Sequence, residues 1–458
     1  MNKKNTLTAA VLLAALIFTK IMLRPFGGLD ELWVYGIARG ISMGYVPYRD
    51  FSMVMMPLFT VLFSLPLYIV RNLFVYRIMS ALMLFGLGFT YYRIASRMTD
   101  HLWGLLASLL LTAFMDFATY NGLMVLLTLL VFILLRDLTV RGAAAAGVLC
   151  GLAVLCRQTS GVFLIVAVVI LMCTDKTLRK FILPFLIGWG AVMAVFAVCL
   201  LATDSFSAFW DCCFFALTGN GEKNSGILAD GIAVDILVVA GVIASGYLVK
   251  KNAEREDKLH LIFGIILISI GIPTVDMMHM LYAAAWFLIP LFKLMRKSVS
   301  APLLKIIIAA MSAAVLFLNV CQLPGKTLDN RYKEFALIPV KTSELDYYGQ
   351  IIAINTKYED EGRRVVMLTS GRCIVSMMTD SFDPDYDLFL KGNTGTRTPV
   401  SYIENELASD NVIFVIPDDY EEENWQNPSG VLEFVQTNCE PVERYDAFVW
   451  YVPSSGSV

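Results

Sequence analysis

The feature that most constrains this chain is a succession of long apolar runs. About eleven of them precede residue 322, each near the length that a helix needs to cross the roughly 30 Å hydrocarbon core of a bilayer, or somewhat shorter. With 57% hydrophobic and only 16% charged residues, the chain cannot bury its apolar surface in one globule. The sequence therefore predicts a polytopic α-helical membrane protein with about eleven transmembrane helices. The runs lie at 7–23, 74–92, 102–115, 122–135, 142–156, 158–174, 181–202, 231–249, 259–275, 280–292 and 301–321.

Charge divides the chain into two unlike parts. From Lys326 onward it holds 23 of its 39 acidic residues but only 11 of its 36 basic ones. In the same region, residues 365–369, 411–417 and 447–453 have the apolar pattern of short buried strands. We therefore predict a membrane domain at 1–322 and a small soluble α/β domain at 323–458. Nucleic acid is not an expected partner, because the soluble part has no basic cluster with interleaved aromatic residues.

The positions of lysine and arginine predict which side of the membrane each loop occupies. Alternating the spans from a cytoplasmic N-terminus places the basic loops inside, as the positive-inside rule requires. We therefore expect a multi-pass cell-membrane protein with a cytoplasmic N-terminus and an extracytoplasmic C-terminal domain. The basic loops carry Arg93 and Arg97, Arg136 and Arg141, Lys176 to Lys180, Lys250 to Lys258, and Lys293 to Lys297.

One uncharged segment, Met53 to Val70, conflicts with this alternation if it is counted as a span. Counting it would place every later basic loop outside the cell. We therefore interpret it as an interfacial or re-entrant segment within a long first outer loop, residues 24–73. Pro57 and Pro66 fit that interpretation better than they fit an uninterrupted helix.

The first outer loop carries the strongest functional signal. Its residues alternate with helical period between an apolar side (Trp33, Ile37, Ile41) and a polar side (Glu31, Tyr35, Arg39), which is typical of a helix lying along a membrane surface. Asp30 follows Gly27 and Gly28 at the start of this helix. An acid there can cap the helix and interact with its positive end, so capping and a chemical role both remain open.

The loop also resembles a known family. Asp30-Glu31 just after the first span, then Gly44-x-x-Pro47-Tyr48-x-Asp50-Phe51 and Pro57-Leu58-Phe59, resemble the type C glycosyltransferase superfamily, in its protein mannosyltransferase and lipid A aminoarabinose transferase branch. The resemblance implies that Asp30 is the catalytic base, with Glu31 as a substitute or orienter. It also implies a second outer-loop acid after the third span, where Asp116 stands. We expect Arg39, Tyr48 and Asp50 to support the structure of the loop.

Arg157 is the single charge in the stretch from Gly142 to Thr174. This stretch is too long for one helix, so we expect a helical hairpin with Arg157 at its outer turn. A guanidinium there can bind the phosphate of a lipid carrier through paired hydrogen bonds. The family pattern Gly-Leu-Ala-x-Leu-x-Lys/Arg also falls on Gly151 to Arg157. Snorkelling of the side chain into lipid headgroups is the alternative.

His279 and Tyr282 begin a late span at the predicted outer face. The resemblance implies an aromatic and basic group at this place, near the headgroup of the carrier. A zinc site built from histidines is not expected, because the chain has only 3 histidines and no second one lies near His279. No cofactor is indicated with certainty, and the need for a divalent metal ion remains open.

Together these features predict a glycosyltransferase. It would move a sugar from a polyprenyl-phosphate-linked donor to a lipid, glycan or protein acceptor at the outer membrane face, with membrane lipids around it. One alternative is a transporter or flippase of lipid-linked glycan, for which charges at mid-span and matched broken helices are typical. The other alternative is a non-catalytic membrane protein that binds cell-envelope glycan.

Overall fold

The computed structural model describes residues 2–26, 29–115, 117–216, 231–252, 254–272, 275–369, 372–382, 393, 395–408, 411–417 and 429–454. Within them, one helix overlaps each predicted apolar run, so the polytopic helical fold is confirmed. These helices are α1 Lys3–Leu23, α4 Leu73–Met98, α5 His101–Ala113, α6 Tyr120–Arg136, α7 Val140–Cys156, α8 Gln158–Thr174, α9 Ile182–Ala202, α11 Ile232–Asn252, α12 Arg255–Ile268, α13 Met277–Met295 and α14 Ala301–Cys321.

Six of the described helices are long and apolar enough to cross a membrane. They are Lys3–Leu23, Leu73–Met98, Arg179–Ala202, Ile232–Asn252, Met277–Met295 and Ala301–Cys321. The helices α5, α6, α7, α8 and α12 have 13 to 17 residues. At about 1.5 Å of rise per residue they are shorter than the hydrocarbon core is thick. The predicted number of eleven crossings therefore remains a prediction.

Side-chain caps fix where several of these helices begin. In five helices, the side chain of the N-cap residue accepts a hydrogen bond from a backbone N–H group in the first turn. These N-cap residues are Asn72, Asp100, Thr119, Thr139 and Asp276. Each cap satisfies a donor that has no partner within its own helix. The helix starts are therefore encoded locally.

The loops predicted to be cytoplasmic lie together at one end of the helical bundle. Arg97 pairs with Glu256 at 3.5 Å, and Arg296 donates to the backbone oxygen of Thr99 at 3.3 Å. Arg255 donates to the backbone oxygen of Leu135 at 3.0 Å. Because these contacts join the ends of α4, α6, α12 and α13, the basic loops share one face. Which side of the membrane that face occupies remains a prediction.

The first outer loop folds into two helices. They are α2, Leu29–Ser42, and α3, Leu58–Ser64, which continues into a 3₁₀ turn at Leu65–Tyr68. The helical part of the 53–70 segment thus has eleven residues, or about 16 Å of rise, which is too short to span a bilayer. This length agrees with the interpretation of 53–70 as an interfacial segment.

Tyr48 and Asp50 lie in the turn between α2 and α3. Buried Tyr48 has a φ of 69°, and its hydroxyl group donates to the backbone oxygen of Met55 at 2.7 Å. Asp50 accepts from the backbone N–H of Val46 and from Arg49, both at 2.7 Å. The hydrogen bond from Arg49 lowers the pKa of Asp50. These contacts support the expected role of both residues in loop structure.

The C-terminal part is a small domain of helices and sheet, as predicted. It begins with a two-stranded antiparallel pair, β1 Thr327–Leu328 and β2 Pro339–Val340. The larger sheet comprises β3 Arg364–Met367, β4 Val412–Pro417, β5 Cys439–Tyr445 and β6 Phe448–Pro453. Its strand order is β3-β4-β6-β5, with β3 and β4 parallel and the other neighbours antiparallel. The predicted strands correspond to β3, β4 and β6, and β5 is an additional strand.

Helices complete the description of the chain. Those of the C-terminal part are α15 Thr342–Asp360, α16 Arg372–Met378, α17 Pro399–Leu407 and α18 Ser429–Asn438, and a short α10, Phe206–Trp210, precedes α11 in the membrane part.

The predicted orientation can be tested by cysteine labelling. Asn72 is buried, so the exposed Arg49 is the better reporter for the first outer loop. In a background with the exposed Cys173, Cys199 and Cys321 changed to serine, Arg49→Cys should react with a membrane-impermeant maleimide in intact cells.

The exposed Lys176, in the predicted cytoplasmic loop after α8, is the matched control. Lys176→Cys should react only after the cells are permeabilised. Reaction of the Lys176→Cys protein, and not of the Arg49→Cys protein, in intact cells would reverse the whole orientation.

Candidate active site

Four of the predicted site residues line one cavity of about 720 Å³. Asp30 reaches it from α2, Arg157 from the turn between α7 and α8, and His279 and Tyr282 from the start of α13. Phe114 also lines the cavity and is more than half exposed, so the cavity opens at the surface of the protein. Residues far apart in sequence thus meet at one place, on the face opposite the basic loops.

The lining of the cavity is mostly apolar. Leu110, Leu111, Leu281, Ala284 and Leu288, from α5 and α13, form much of the apolar wall. The methionine-rich segment 53–56 contributes Val54, Met55 and Met56 from the first outer loop. A cavity of this size, with few polar groups on an apolar lining, is typical of a ligand site.

Asp30 is the second residue of α2 and lies in its first turn, where a negative charge interacts favourably with the helix dipole. The side chain is exposed to the cavity, but the surrounding walls desolvate it. This desolvation raises the pKa of Asp30, while the charges of His279 and Arg24 act in the opposite direction and Asp276 adds to the rise. The raised pKa makes the carboxylate of Asp30 a stronger base than a carboxylate in water.

Glu31, the neighbour of Asp30, does not line the cavity. It is fully buried, and its two carboxylate oxygens accept from Nε and Nη2 of Arg77 at 2.9 and 2.8 Å. Arg77 also donates to the backbone oxygens of Arg24 and Pro25. The pair therefore ties the end of α1 and the start of α2 to α4, which favours a positioning role for Glu31 over a chemical one.

Arg157 is buried, with 7% of its surface exposed, so it does not snorkel freely into headgroups. Nη1 donates to the side-chain oxygen of Asn121, and Nη2 donates to the backbone oxygens of Ile270 and Ile272 at 2.5 and 2.8 Å. Nε is buried and has no hydrogen-bond partner among the described residues. The guanidinium group is thus held in place by α6 and by the segment between α12 and α13.

His279 and Tyr282 are also held by hydrogen bonds. Nδ1 of His279 lies 2.6 Å from Oδ2 of Asp276, whose Oδ1 accepts from the backbone N–H of His279 at 2.8 Å. The hydroxyl group of Tyr282 lies 3.2 Å from that of Thr119. Asp276 and Thr119 also line the cavity, so it contains partners that the sequence analysis did not identify.

Asp116, the predicted second acid, lies outside the described residues. Its neighbours Met115 and Phe117 both line the cavity.

Arg39 lies on the other side of α2 and contacts the C-terminal domain. Its Nε donates to Glu334 at 2.6 Å and its Nη2 to Asp380 at 3.1 Å, while Tyr35 donates to Glu334 at 2.9 Å. Arg39 and Glu334 are both buried. Burial raises the pKa of Glu334, and Arg39 opposes that rise. The support that we expected from Arg39 thus joins α2 to the C-terminal domain.

No protein-family model matches the chain, and no curated protein matches it in sequence. Solved structures do match. ArnT from Cupriavidus metallidurans, bound to undecaprenyl phosphate, matches with a TM-score of 0.63 at 12% identity, over 100% of this chain and 99% of that chain. The oligosaccharyltransferase of Archaeoglobus fulgidus, in complex with zinc and sulfate, matches with a TM-score of 0.51 at 14% identity, over 89% of this chain and 68% of that chain.

Both neighbours are type C glycosyltransferases, so this chain has the type C glycosyltransferase fold that the resemblance implied. Because the match to ArnT covers both chains almost completely, the likeness includes the C-terminal domain as well as the membrane part.

The zinc ion of the archaeal neighbour raises the question of a metal site here. Among the described residues, no group of three His, Cys, Asp or Glu side chains is placed to hold a metal ion. In the cavity, Asp276 and His279 are already bonded to each other. The described residues therefore do not fit a metal ion, and the chemistry below uses none.

Proposed function

We propose that this protein is a glycosyltransferase that takes a sugar from a polyprenyl-phosphate-linked donor at the outer membrane face. The observation that carries the proposal is the meeting of Asp30 and Arg157 in one largely apolar cavity that opens at the protein surface. In sugar transfer from a phosphate, a carboxylate can act as the base and a guanidinium group can bind the leaving phosphate. The type C fold supports the same reaction class.

In the proposed reaction, a hydroxyl group of the acceptor attacks the anomeric carbon of the sugar. Asp30 takes the proton of that hydroxyl group as the new C–O bond forms. The bond between the anomeric carbon and the phosphate oxygen breaks, and polyprenyl phosphate leaves with its negative charge. Attack opposite the leaving group inverts the configuration at the anomeric carbon.

In this reaction, Arg157 stabilises the phosphate as charge develops on it. Its contacts with Asn121, Ile270 and Ile272 fix the guanidinium group before the donor binds, so little reorganisation is needed. Tyr282 and His279 line the same cavity and are the further candidates for contact with the donor phosphate. The apolar wall formed by α5 and α13 suits the isoprenoid chain.

Purified protein in detergent provides the test. Supplied with carrier-linked sugars and an acceptor extract, both prepared from cells that lack the protein, the wild type should transfer the sugar to the acceptor and release polyprenyl phosphate, both followed by mass spectrometry. Arg157→Gln should be about 10- to 100-fold slower, since a hydrogen bond to a charged group contributes about 1.5–3 kcal/mol. Arg157→Lys should recover part of the rate, because an ammonium group lacks the planar fork.

Arg179→Gln, at the opposite end of α8, is the matched control and should react like the wild type. Thermal unfolding of each variant separates slow chemistry from misfolding, because Arg157 also bonds the backbone. A detergent micelle has no two compartments, so a flippase would leave the carrier-linked sugar chemically unchanged. If the folded wild-type protein does not consume this sugar in the presence of the acceptor extract, the result favours transport or glycan binding.

A further inference from the structure

Arg157 has few hydrogen-bond donors left for a ligand. A guanidinium group carries N–H donors on Nε, Nη1 and Nη2. Both donors of Nη2 bond the backbone oxygens of Ile270 and Ile272, and one donor of Nη1 bonds Asn121. The N–H of Nε, which is buried without a hydrogen-bond partner among the described residues, and the second N–H of Nη1 remain. A departing phosphate has several oxygen atoms that accept hydrogen bonds, so further donors are needed beside Arg157.

The start of α8 provides donors at the same cavity. Gln158 and Thr159 are the first residues of this helix, and both line the cavity, as Arg157 does. Arg157 is extended, with a φ of −151°, so the N–H groups of residues 158–160 do not bond the carbonyl groups of α7. No side chain caps this end, and in the described part of the chain these N–H groups have no hydrogen-bond partner. Such groups at a helix N-terminus bind anions.

Packing fixes the position of this helix end. Gly161 lies against α7 so closely that a Cβ atom at this position would be 2.5 Å from backbone atoms of Val154. The side-chain amide of Gln158 donates to the backbone oxygen of Cys213 at 3.4 Å. The first turn of α8 has no acidic residue, so no carboxylate of its own offsets the positive end of the helix dipole. The helix end and the buried guanidinium group of Arg157 thus form a preorganised positive region.

We propose that the N-terminus of α8 completes the phosphate site of this protein. In this site, the backbone N–H groups of Gln158 and Thr159 and the hydroxyl group of Thr159 bind oxygens of an isoprenoid phosphate, beside Nε of Arg157. The isoprenoid chain lies on the apolar wall of the same cavity. This inference rests on the proposed function, because it describes how the phosphate of the donor is held. It assigns part of the binding to backbone groups that act independently of the Arg157 side chain.

Proline at position 158 removes one of these N–H groups and remains compatible with the helix. Proline suits the first position of a helix and favours an extended residue before it, as Arg157 is. Gln158→Ala loses the same side-chain amide but keeps the N–H. Calorimetric titration of the purified full-length protein in detergent with farnesyl phosphate measures the dissociation constant. Gln158→Pro should bind about tenfold more weakly than Gln158→Ala, since a hydrogen bond to a charged group contributes about that factor or more.

Three controls separate loss of the N–H from other effects. Farnesol, which lacks the phosphate, should bind Gln158→Pro and Gln158→Ala equally. Val140→Pro, at the first position of α7 and at the other end of that helix, should bind farnesyl phosphate like the wild type. Inorganic phosphate should compete only at much higher concentration, because it lacks the chain that the apolar wall binds. Competition at equal concentration would overturn the assignment to a lipid-borne phosphate.

Equal dissociation constants of Gln158→Pro and Gln158→Ala for farnesyl phosphate would overturn the proposal, and so would a parallel loss of farnesol binding. If Gln158→Pro does not fold, the comparison of Thr159→Val with Thr159→Ser decides. Thr159→Val removes the hydroxyl group and should bind farnesyl phosphate about tenfold more weakly than Thr159→Ser, which keeps it. Equal affinities of these two proteins would then refute the site.

Failure of this proposal is distinguishable from failure of the proposed function. Sugar transfer by the wild type, together with equal affinities of the two Gln158 variants, would refute the role of α8 alone. Weaker binding of farnesyl phosphate by Gln158→Pro, in a protein whose wild type transfers no sugar, would refute the transferase and leave an isoprenoid-phosphate site.

Discussion

Asp30→Asn should lower the rate of sugar transfer about 10²- to 10⁴-fold, the usual cost of removing a general base. Asparagine has nearly the same shape as aspartate but cannot accept the proton of the acceptor. The side chain faces the cavity and is exposed there, so the substitution leaves no buried group without a partner. The measurement is single-turnover transfer with saturating donor, which separates chemistry from binding.

Two comparisons make the Asp30→Asn result specific. The loss of a charge in the first turn of α2 should cost no more than about 1 kcal/mol of stability, because helix-dipole interactions are of that size. Asp137→Asn removes an exposed acid at the other end of the bundle and should retain full activity. Wild-type turnover in folded Asp30→Asn would leave Asp30 with a helix-dipole role only.

Arg77→Gln should lower the free energy of unfolding by about 3–5 kcal/mol, the usual cost of breaking a buried ion pair from one side. Both Arg77 and Glu31 are fully buried, so the substitution removes the cation that bonds both oxygens of a buried carboxylate and leaves only Arg24, whose Nε lies 3.8 Å from that carboxylate. It also removes the donors to the backbone of Arg24 and Pro25. A denaturant titration in mixed micelles measures the loss.

Arg49→Gln is the matched control, because it breaks an arginine–carboxylate pair in the same loop that is partly exposed. We expect it to cost at most about 1 kcal/mol. Combining Arg77→Met with Glu31→Gln should recover part of the loss, since no unpaired buried carboxylate then remains. Equal stability of the Arg77→Gln and Arg49→Gln proteins would contradict the assignment of Arg77 as the link between α1, α2 and α4.

The sequence identified candidate residues where one charged residue stands alone in an apolar stretch. Arg157 was such a case, because it is the single charge in a long apolar stretch, and it does line the cavity. Arg77 is likewise a charged residue within the apolar run 74–92, a position that is typical of a residue with a specific partner. Its ion-pair partner is Glu31, which the family resemblance had implied as a substitute or an orienter for Asp30.

Contacts between distant segments could not be predicted from the sequence. Arg39 and Glu334 are separated by 295 positions, and no local pattern relates them. Strand β5 was missed for a different reason, because its exposed residues and the register shift between Pro441 and Glu443 hide the alternation typical of a strand. Asp276, by contrast, was recognisable as a helix N-cap three residues before His279.

The junction between α2 and the C-terminal domain limits how freely the two parts can be exchanged. Arg39 is buried against Glu334, and the backbone N–H of Phe26 donates to the oxygen of Pro339 at 2.8 Å. A C-terminal domain grafted from a related chain would have to bring its own carboxylate to that position, or leave a buried guanidinium without a counterion. The first element to lose its support would be α2, the helix that carries Asp30. The predicted boundary near residue 322 therefore marks a change in composition, and the two parts share buried contacts across it.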